Sequence, residues 1–351
     1  GYDAVVVNNT PETVSTDYDA CSRLFFEPLD TESVLDVIDH ERALTGEPPH
    51  VVLTFGGQTA IDLARDLAYA DVPIAGLTAD AIEITEDRER FAQLLDELRI
   101  DAPRGMLAGD ADQLRHAVVA LGLPVIVRPS WVIGGRGITV LRSDADIADL
   151  LDAREIAWPL RVDELIDGIE LDIDAISDGT ATCVPGILEQ LDPPGIHSGD
   201  SAAVVPPQRL PRSVQERAAS VAARLAAALG VRGVINVQAV VDGDRVVVIE
   251  ANPRASRTVP ILAKATGRDI VAMAVRCALG ASLGDVGLAP GLLDDAPLVA
   301  VKWPVDSLWR LPGVDRVAGA EMRSTGEVLG LATTYARALE SARQAVVPHQ
   351  H

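Results

Sequence analysis

Residues 234–260 read VINVQAVVDGDRVVVIEANPRASRTVP, and this stretch decides the fold. Val234 to Val241 is β-branched and apolar apart from Asn236 and Gln238, as a strand should be. Asp242-Gly243 is a hairpin turn signal, and Arg245 to Ile249 is the return strand. Residues opposed across an antiparallel pair share a face. A turn centred on Asp244 therefore opposes Gln238 to Glu250, and Asn252 follows on that face if the strand stays extended. Two amides and a carboxylate would converge there. Hard oxygen donors of this kind suit Mg²⁺ or Mn²⁺ carrying nucleotide phosphates. Arg254 and Arg257 come next, suited to further phosphate charge. The same polar residues could instead be a solvated strand end.

Composition bounds the alternatives. A chain of 351 residues can form two or three packed subdomains. It is 48% hydrophobic, yet no apolar run approaches the ~18 residues of a membrane span, and the first residues lack the pattern of a signal peptide. Cys21, Cys183 and Cys277 are far apart, which disfavours a zinc site or disulfide framework and makes a reducing cytoplasm the expected location. A net charge of −22 argues against nucleic-acid or anionic-membrane partners. Lys264 and Lys302 are the only lysines; a salt-rich cytoplasm or a GC-rich genome would each explain this. No GxxxxGK[ST] motif is present, so a P-loop site is excluded.

Along the chain, strand and helix alternate first. Ala4–Val7, Val51–Phe55 and Pro73–Gly76 read as strands of a parallel sheet, with helices at Thr31–Leu44 and Ile61–Leu67. The loops TPETVSTDYD (10–19) and FGGQT (55–59) would share one rim. Asp87 opens a helix to about Leu98 that carries Arg88. Pro124–Val127 and Ile138–Leu141 form a hairpin around RPSWVIGGRG (128–137), whose Gly134-Gly135 lets backbone N–H groups approach phosphate. Leu160–Asp167 and Ile169–Asp174 read as another strand pair, with Asp178-Gly179 its turn. Acidic residues alternate after Glu170, and the face bearing Asp172 and Asp174 is expected to be solvated. Gly186–Ser201 is polar and turn-rich. His197 within it reads as a general base or an ordinary loop histidine. Ser213–Leu229 is a helix with a Ser213/Glu216 capping box and Gly230 at its end, and another helix lies near Asp269–Leu279. His349-Gln350-His351 reads as a frayed tail rather than a metal site.

Glu250-Ala-Asn252-Pro253-Arg254, with Gln238 upstream, resembles the metal-binding end of the ATP-grasp ligases. ANPRASRTVP, TPETVSTDYD, RPSWVIGGRG, HSGDS and EMRSTGEVLG (321–330), in that family's order, resemble the large subunit of carbamoyl-phosphate synthetase, and specifically its C-terminal, carbamate-phosphorylating half. The resemblance covers nearly the whole chain. It implies an α/β architecture: a parallel pre-ATP-grasp domain over 1–85, then a two-subdomain α+β ATP-grasp fold with antiparallel sheets over 86–280. The lid would lie at about 123–195, and 281–351 would close the domain. The family's first strand and regulatory domain are not evident in this sequence, which suggests a split subunit or fragment.

The resemblance also implies roles. Arg88, Arg128 and Gly134-Gly135 would hold ATP phosphates. Asp163 and Leu165 would line the adenine end, and Glu170 would take the ribose hydroxyls. Gly195, Ile196, His197 and Ser198 would contact nucleotide, with His197 then not a base. Gln238, Glu250 and Asn252 would hold two Mg²⁺ or Mn²⁺ ions, Gln238 and Glu250 also meeting ATP. Asn252, Arg254 and Arg257 would be catalytic, the arginines orienting carbamate. The implied partners are the N-terminal synthetase half and a glutaminase small subunit, in arginine and pyrimidine biosynthesis. Another ATP-grasp carboxylate–amine ligase, or a non-catalytic nucleotide-binding fragment, are the alternatives.

Overall fold

The computed structural model describes residues 2–129, 137–152, 156–305, 319 and 322–346. At the start, β1 (Val5–Asn8) and β2 (Arg23–Phe26) pair in parallel. Strand β2 has no alternation to betray it in the sequence. Helix α1 (Thr31–Thr45) starts where the Asp30 carboxylate accepts from Ser33 N at 2.8 Å and stops at left-handed Gly46. The strands expected at 51–55 and 73–76 shrink to a single parallel bridge, Val51 to Ile74. The helix expected at 61–67 is two short ones, α2 (Gly57–Asp62) and α3 (Ala64–Tyr69). Then α4 (Ala79–Glu86) ends at Asp87, whose carboxylate caps α5 (Arg88–Glu97) through Glu89 N and Arg90 N.

Next comes a four-stranded antiparallel sheet. Its strands are β3 (Gly105–Ala108), β4 (Val125–Pro129), β5 (Thr139–Leu141) and β6 (Leu160–Glu164), in spatial order β3-β6-β4-β5. Helices α6 (Ala111–Leu121) and α7 (Asp144–Leu151) join it around a private core of Leu114, Val125, Val127, Leu141 and Val162. The expected 124–141 hairpin is present, while its tip, with Gly134 and Gly135, lies outside the described residues, as does the 349–351 tail.

The second sheet has eight strands. In chain order come β7 (Ile169–Asp178), β8 (Thr182–Gln190), β9 (Ala203–Val205), α8 (Arg212–Ala228), β10 (Arg232–Asp242), β11 (Arg245–Asn252), α9 (Val259–Thr266) and α10 (Ile270–Ala278). They are followed by β12 (Gly291–Leu292), β13 (Val299–Val305), β14 (Gly326–Ala332) and α11 (Tyr335–Val346). The spatial order is β11-β10-β7-β8-β9-β13-β14, with β12 on β8. Strands β6 and β7 do not pair, contrary to the sequence expectation: at Gly168 the chain leaves one sheet for the other. A Cβ there would strike Val241 O, so only glycine lets the crossing hug β10. Asp178-Gly179 turns β7 into β8 instead, and residues 186–190, expected as loop, complete β8.

One face of the large sheet carries Leu171, Ile173, Ile235, Val237 and Val248. It rests on α8 and on Leu53, Leu67, Phe91 and Leu95 from the N-terminal part in one apolar cluster. Each fully buried leucine or isoleucine contributes about 1.5–3 kcal/mol over an exposed one. Helix α8 begins at Arg212 behind Pro211, so Ser213 is already helical and makes no capping box. Glu216 instead accepts from Arg212 at 3.4 Å.

Candidate functional site

Alternation puts the polar partners of those apolar residues on the opposite face. Gln238 stands between Glu250 and Asp172; Asn236 stands between Asn252 and Asp174; Val240 opposes Glu170. The expected convergence of Gln238, Glu250 and Asn252 therefore holds, for a different reason. The turn residues are Gly243-Asp244, flanked by the pair Asp242–Arg245, so plain counting would oppose Gln238 to Ile249. A β-bulge at that point leaves Ile249 unpaired and brings Glu250 round to the polar face. Glu250 is open to solvent and Asn252 half-buried.

The floor behind them is not solvated, which corrects the expectation for Asp172 and Asp174. Their exposures are 2% and 1%. The loops 195–201 and 252–258 and the side chain of Lys302 lie over them, none adjacent in sequence to β7. Gln190 Nε2 donates to Asp172, with which Lys302 also interacts electrostatically. Asp174 Oδ1 accepts from Asn236 Nδ2 at 3.1 Å and from Ser256 Oγ at 2.8 Å. Burial raises all three acids of this stripe. Glu170, near Asp172 and Glu250, is pushed to about 8, and Asp174 to about 6 against its hydroxyl donors. Lys302, itself buried, is pushed down by that burial and opposed by Glu327 and Asp172; its Nζ donates to Ser198 O at 2.5 Å.

The loop over the stripe carries four expected residues. Gly195 has φ +94°, and a Cβ there would lie 3.4 Å from Val140 and 3.5 Å from Leu165, so these three make an apolar corner. Ile196 follows, half-buried. His197 Nδ1 accepts from Gly199 N at 3.0 Å, and burial lowers its pKa. That nitrogen is thus occupied by its own loop and unavailable as a base. Ser198 Oγ accepts from Gln238 Nε2 at 3.4 Å, joining the loop to the donor set. The far side of the loop is tied to Gly319, Arg323 and Ser324: His197 N donates to Gly319 O, and Asp200 accepts from Arg323 N and Ser324 N at 2.7 and 2.8 Å.

Cations line the other wall. Arg88, first residue of α5, keeps access to water, yet the protein around it and then the Arg128 cation lower its pKa to about 10; it is cationic at neutral pH. Arg128 Nη2 meets Asp163 Oδ2 at 2.6 Å, and Arg161 Nε meets Asp163 Oδ1 at 2.7 Å. Both carboxylate oxygens of Asp163 are thus held by guanidinium groups. Arg254 N donates to Asn252 O at 2.7 Å, while Arg257, exposed, points Nη1 at Met322 Sδ, 2.9 Å away.

Sequence reasoning missed Lys302, Gln190, Arg161, Val140 and Met322. The lysine alone gave a signal: it is one of two in the chain and sits inside an apolar strand. Among the described residues no group of three His, Cys, Asp or Glu side chains could hold a metal ion. The donor set here contains two amides, and its oxygen chemistry fits Mg²⁺ or Mn²⁺ on phosphates.

Residues 87–286 match the family model for the carbamoyl-phosphate synthase L chain, ATP binding domain, and 1–84 match that for the carbamoyl phosphate synthase preATP-grasp domain. The arginine-specific large chain of carbamoyl phosphate synthase from Geobacillus stearothermophilus is 45% identical over 336 residues, covering 95% of this chain and 32% of its own length. The large chain from Rubrobacter xylanophilus is 46% identical over 352 residues, covering 98% and 33%. The chain thus spans about a third of the length of these relatives. In fold it resembles N5-carboxyaminoimidazole ribonucleotide synthetase from Thermotoga maritima, with TM-score 0.73, 15% identity and coverage of 99% and 92%. It also resembles the biotin carboxylase domain of a single-chain bacterial carboxylase, with TM-score 0.72, 20% identity and coverage of 97% and 81%.

Proposed function

The chain belongs to the carbamoyl-phosphate synthase large-chain family, and from that premise we propose that it phosphorylates carbamate with ATP, giving carbamoyl phosphate and ADP. A carbamate oxygen attacks the γ-phosphorus. The bond from that phosphorus to the β,γ-bridging oxygen breaks, and ADP leaves with the electron pair. Positioning and charge neutralisation suffice for such a transfer. Arg254 and Arg257 orient carbamate and offset transition-state charge. Arg88 and Arg128 hold phosphates, a role the resemblance also gives to Gly134 and Gly135. Leu165, Val140 and Gly195 form the apolar edge for adenine; Asp163 acts through Arg128 and Arg161 rather than on the base. Glu170 takes the ribose hydroxyls, and Ile196, His197 and Ser198 pack on nucleotide. Gln238, Glu250 and Asn252 would hold two divalent ions, which would supply neutralising positive charge for the transferred phosphate.

The observation that carries this reading is the convergence of Gln238, Glu250 and Asn252 on one sheet face, with Arg254 and Arg257 next along the chain. Support for the second synthetase half comes from the motifs 10–19, 128–137 and 251–260. In that reading the first half and a glutaminase subunit supply carbamate, in the cytoplasm. No helix among the described residues is long and apolar enough to cross a membrane.

The test is ATP formation from ADP and carbamoyl phosphate with Mg²⁺, at low and high KCl. ATP should appear, and Glu250→Gln should remove most of it, on the order of a hundredfold or more in rate, with the fold intact. Near-normal turnover of Glu250→Gln would sink the proposal. No ATP from a folded, ADP-binding chain would leave a nucleotide-binding segment that depends on partners.

A further inference from the structure

We propose that Asp174 is the positioning residue for the loop 252–258: its buried carboxylate, acting through Ser256 and Thr258, sets where Arg254 and Arg257 stand. The inference rests on the reading of those two arginines given above.

Asp174 ends the acidic stripe of β7 and is 1% exposed. Ser256 Oγ donates to it, lying 2.8 and 2.9 Å from its two oxygens, and Thr258 Oγ1 donates to Oδ2. Thr258 N in turn donates to Ser256 Oγ at 3.0 Å, closing a small ring of bonds under the loop. Among the described residues, Asn236 from the neighbouring strand is the one donor to it from outside the loop, at 3.1 Å.

Two features separate this from ordinary core packing. Thr258 occupies the residue before α9, where a threonine hydroxyl usually caps the first turn; here it makes no cap bond and turns to Asp174. The helix end thus gives up its cap in favour of the tether. Residues 256 and 258 point inward while Arg257, between them, is exposed. Fixing the two hydroxyls therefore fixes the stem from which the guanidinium projects. The other backbone bonds of the segment are Ala255 N to Thr54 O at 3.0 Å, Arg254 N to Asn252 O at 2.7 Å, Val259 N to Ser256 O at 3.4 Å and Leu262 N to Thr258 O at 2.9 Å, and the guanidinium ends meet Ala255 O (Arg254 Nη1, 3.2 Å) and Met322 Sδ (Arg257 Nη1, 2.9 Å). An apolar residue would fill this position at less cost if only stability were served, because a buried carboxylate must be compensated by its bonds.

The experiment combines two readouts on the full chain. Amide hydrogen exchange is compared between wild type and Asp174→Asn, which keeps the shape and removes the charge. Exchange at 254–258 should quicken by about tenfold or more, with β10 amides unchanged. In the reverse reaction, KM for carbamoyl phosphate should rise by about tenfold to a hundredfold, with KM for ADP within about twofold. Should Asp174→Asn fail to fold, Thr258→Val removes one donor and should show the same split, and Thr258→Ser should restore it. Unchanged exchange at 254–258 in a folded variant overturns the proposal, whatever the activity. Equal shifts in both KM values also overturn it, since a merely structural role would not favour one substrate. If wild type makes no ATP, the reading of the arginines falls and exchange alone still decides the tether.

Discussion

Glu170→Gln should stabilise the ligand-free protein, and increasingly so with rising pH. Glu170 is 8% exposed; burial first, then Asp172 and Glu250, raise its pKa from 4.5 to about 8. A folded-state value above the unfolded one means that the folded chain holds the proton more tightly. The associated stability is therefore complete below pH 4.5 and is lost as pH climbs through about 8. The gap is 8 − 4.5, about 3.5 units, on the order of 5 kcal/mol at about 1.36 kcal/mol per unit. About 4 kcal/mol of it falls between roughly pH 5 and 9. Glutamine keeps the volume and has no charge to bury, so the variant escapes that loss. Urea unfolding of both proteins, followed by fluorescence and circular dichroism at one-unit pH steps, reads the difference as a widening gap in midpoints. A gap that stays flat across that range, or a variant less stable than wild type at the alkaline end, would refute the argument. Nucleotide and divalent ions must be left out, because either would bind one state and shift the balance.

Two more substitutions probe the same sheet. Lys302→Met removes the buried cation beside Asp172 and leaves Ser198 O without its donor; it should cost about 3–5 kcal/mol, seen as a lower urea midpoint. It should also enlarge the alkaline loss of stability and carry it to higher pH, because without the cation Glu170 and Asp172 hold their protons still more tightly against their unfolded values. Gly330→Ala would place a methyl group inside the backbone of α11 at Ala338 O and Ala342 N. The expected loss is about 1–3 kcal/mol or more in thermal unfolding, with ADP binding unchanged because β14 lies at the far end of the sheet.

The sequence was most readable where signals are local. Asp30 and Gly46 bracket α1, Asp87 opens α5, and the β10–β11 hairpin shows itself by its turn and valines. Pairing between distant strands was not readable. The short link from β6 to β7 suggested a hairpin, and only the tight passage of Gly168 over Val241 shows why the chain changes sheets. The candidate site divides the same way. Alternation told which acids share a face, yet whether that face meets water depends on Ser256, Thr258 and Lys302, which lie 82 to 130 positions beyond the acids they cover. The register of Gln238 with Glu250 came out right although the turn sits half a residue earlier than assumed, because the bulge at Ile249 makes up the difference.

The apolar cluster under the large sheet has one more consequence. It draws Leu53, Leu67, Phe91 and Leu95 together with Ile173, Ile235 and Val248, although two separate family models divide that sequence between them. Evolutionary modules and thermodynamic modules therefore do not coincide here. The N-terminal helices share one core with the large sheet, while the small sheet has its own, so the first two are expected to unfold together and the small sheet to be able to open separately. Damage to a leucine such as Leu53 or Leu67 should therefore reach the sheet face that carries Gln238 and Glu250, with no contact to it, as a softened foundation.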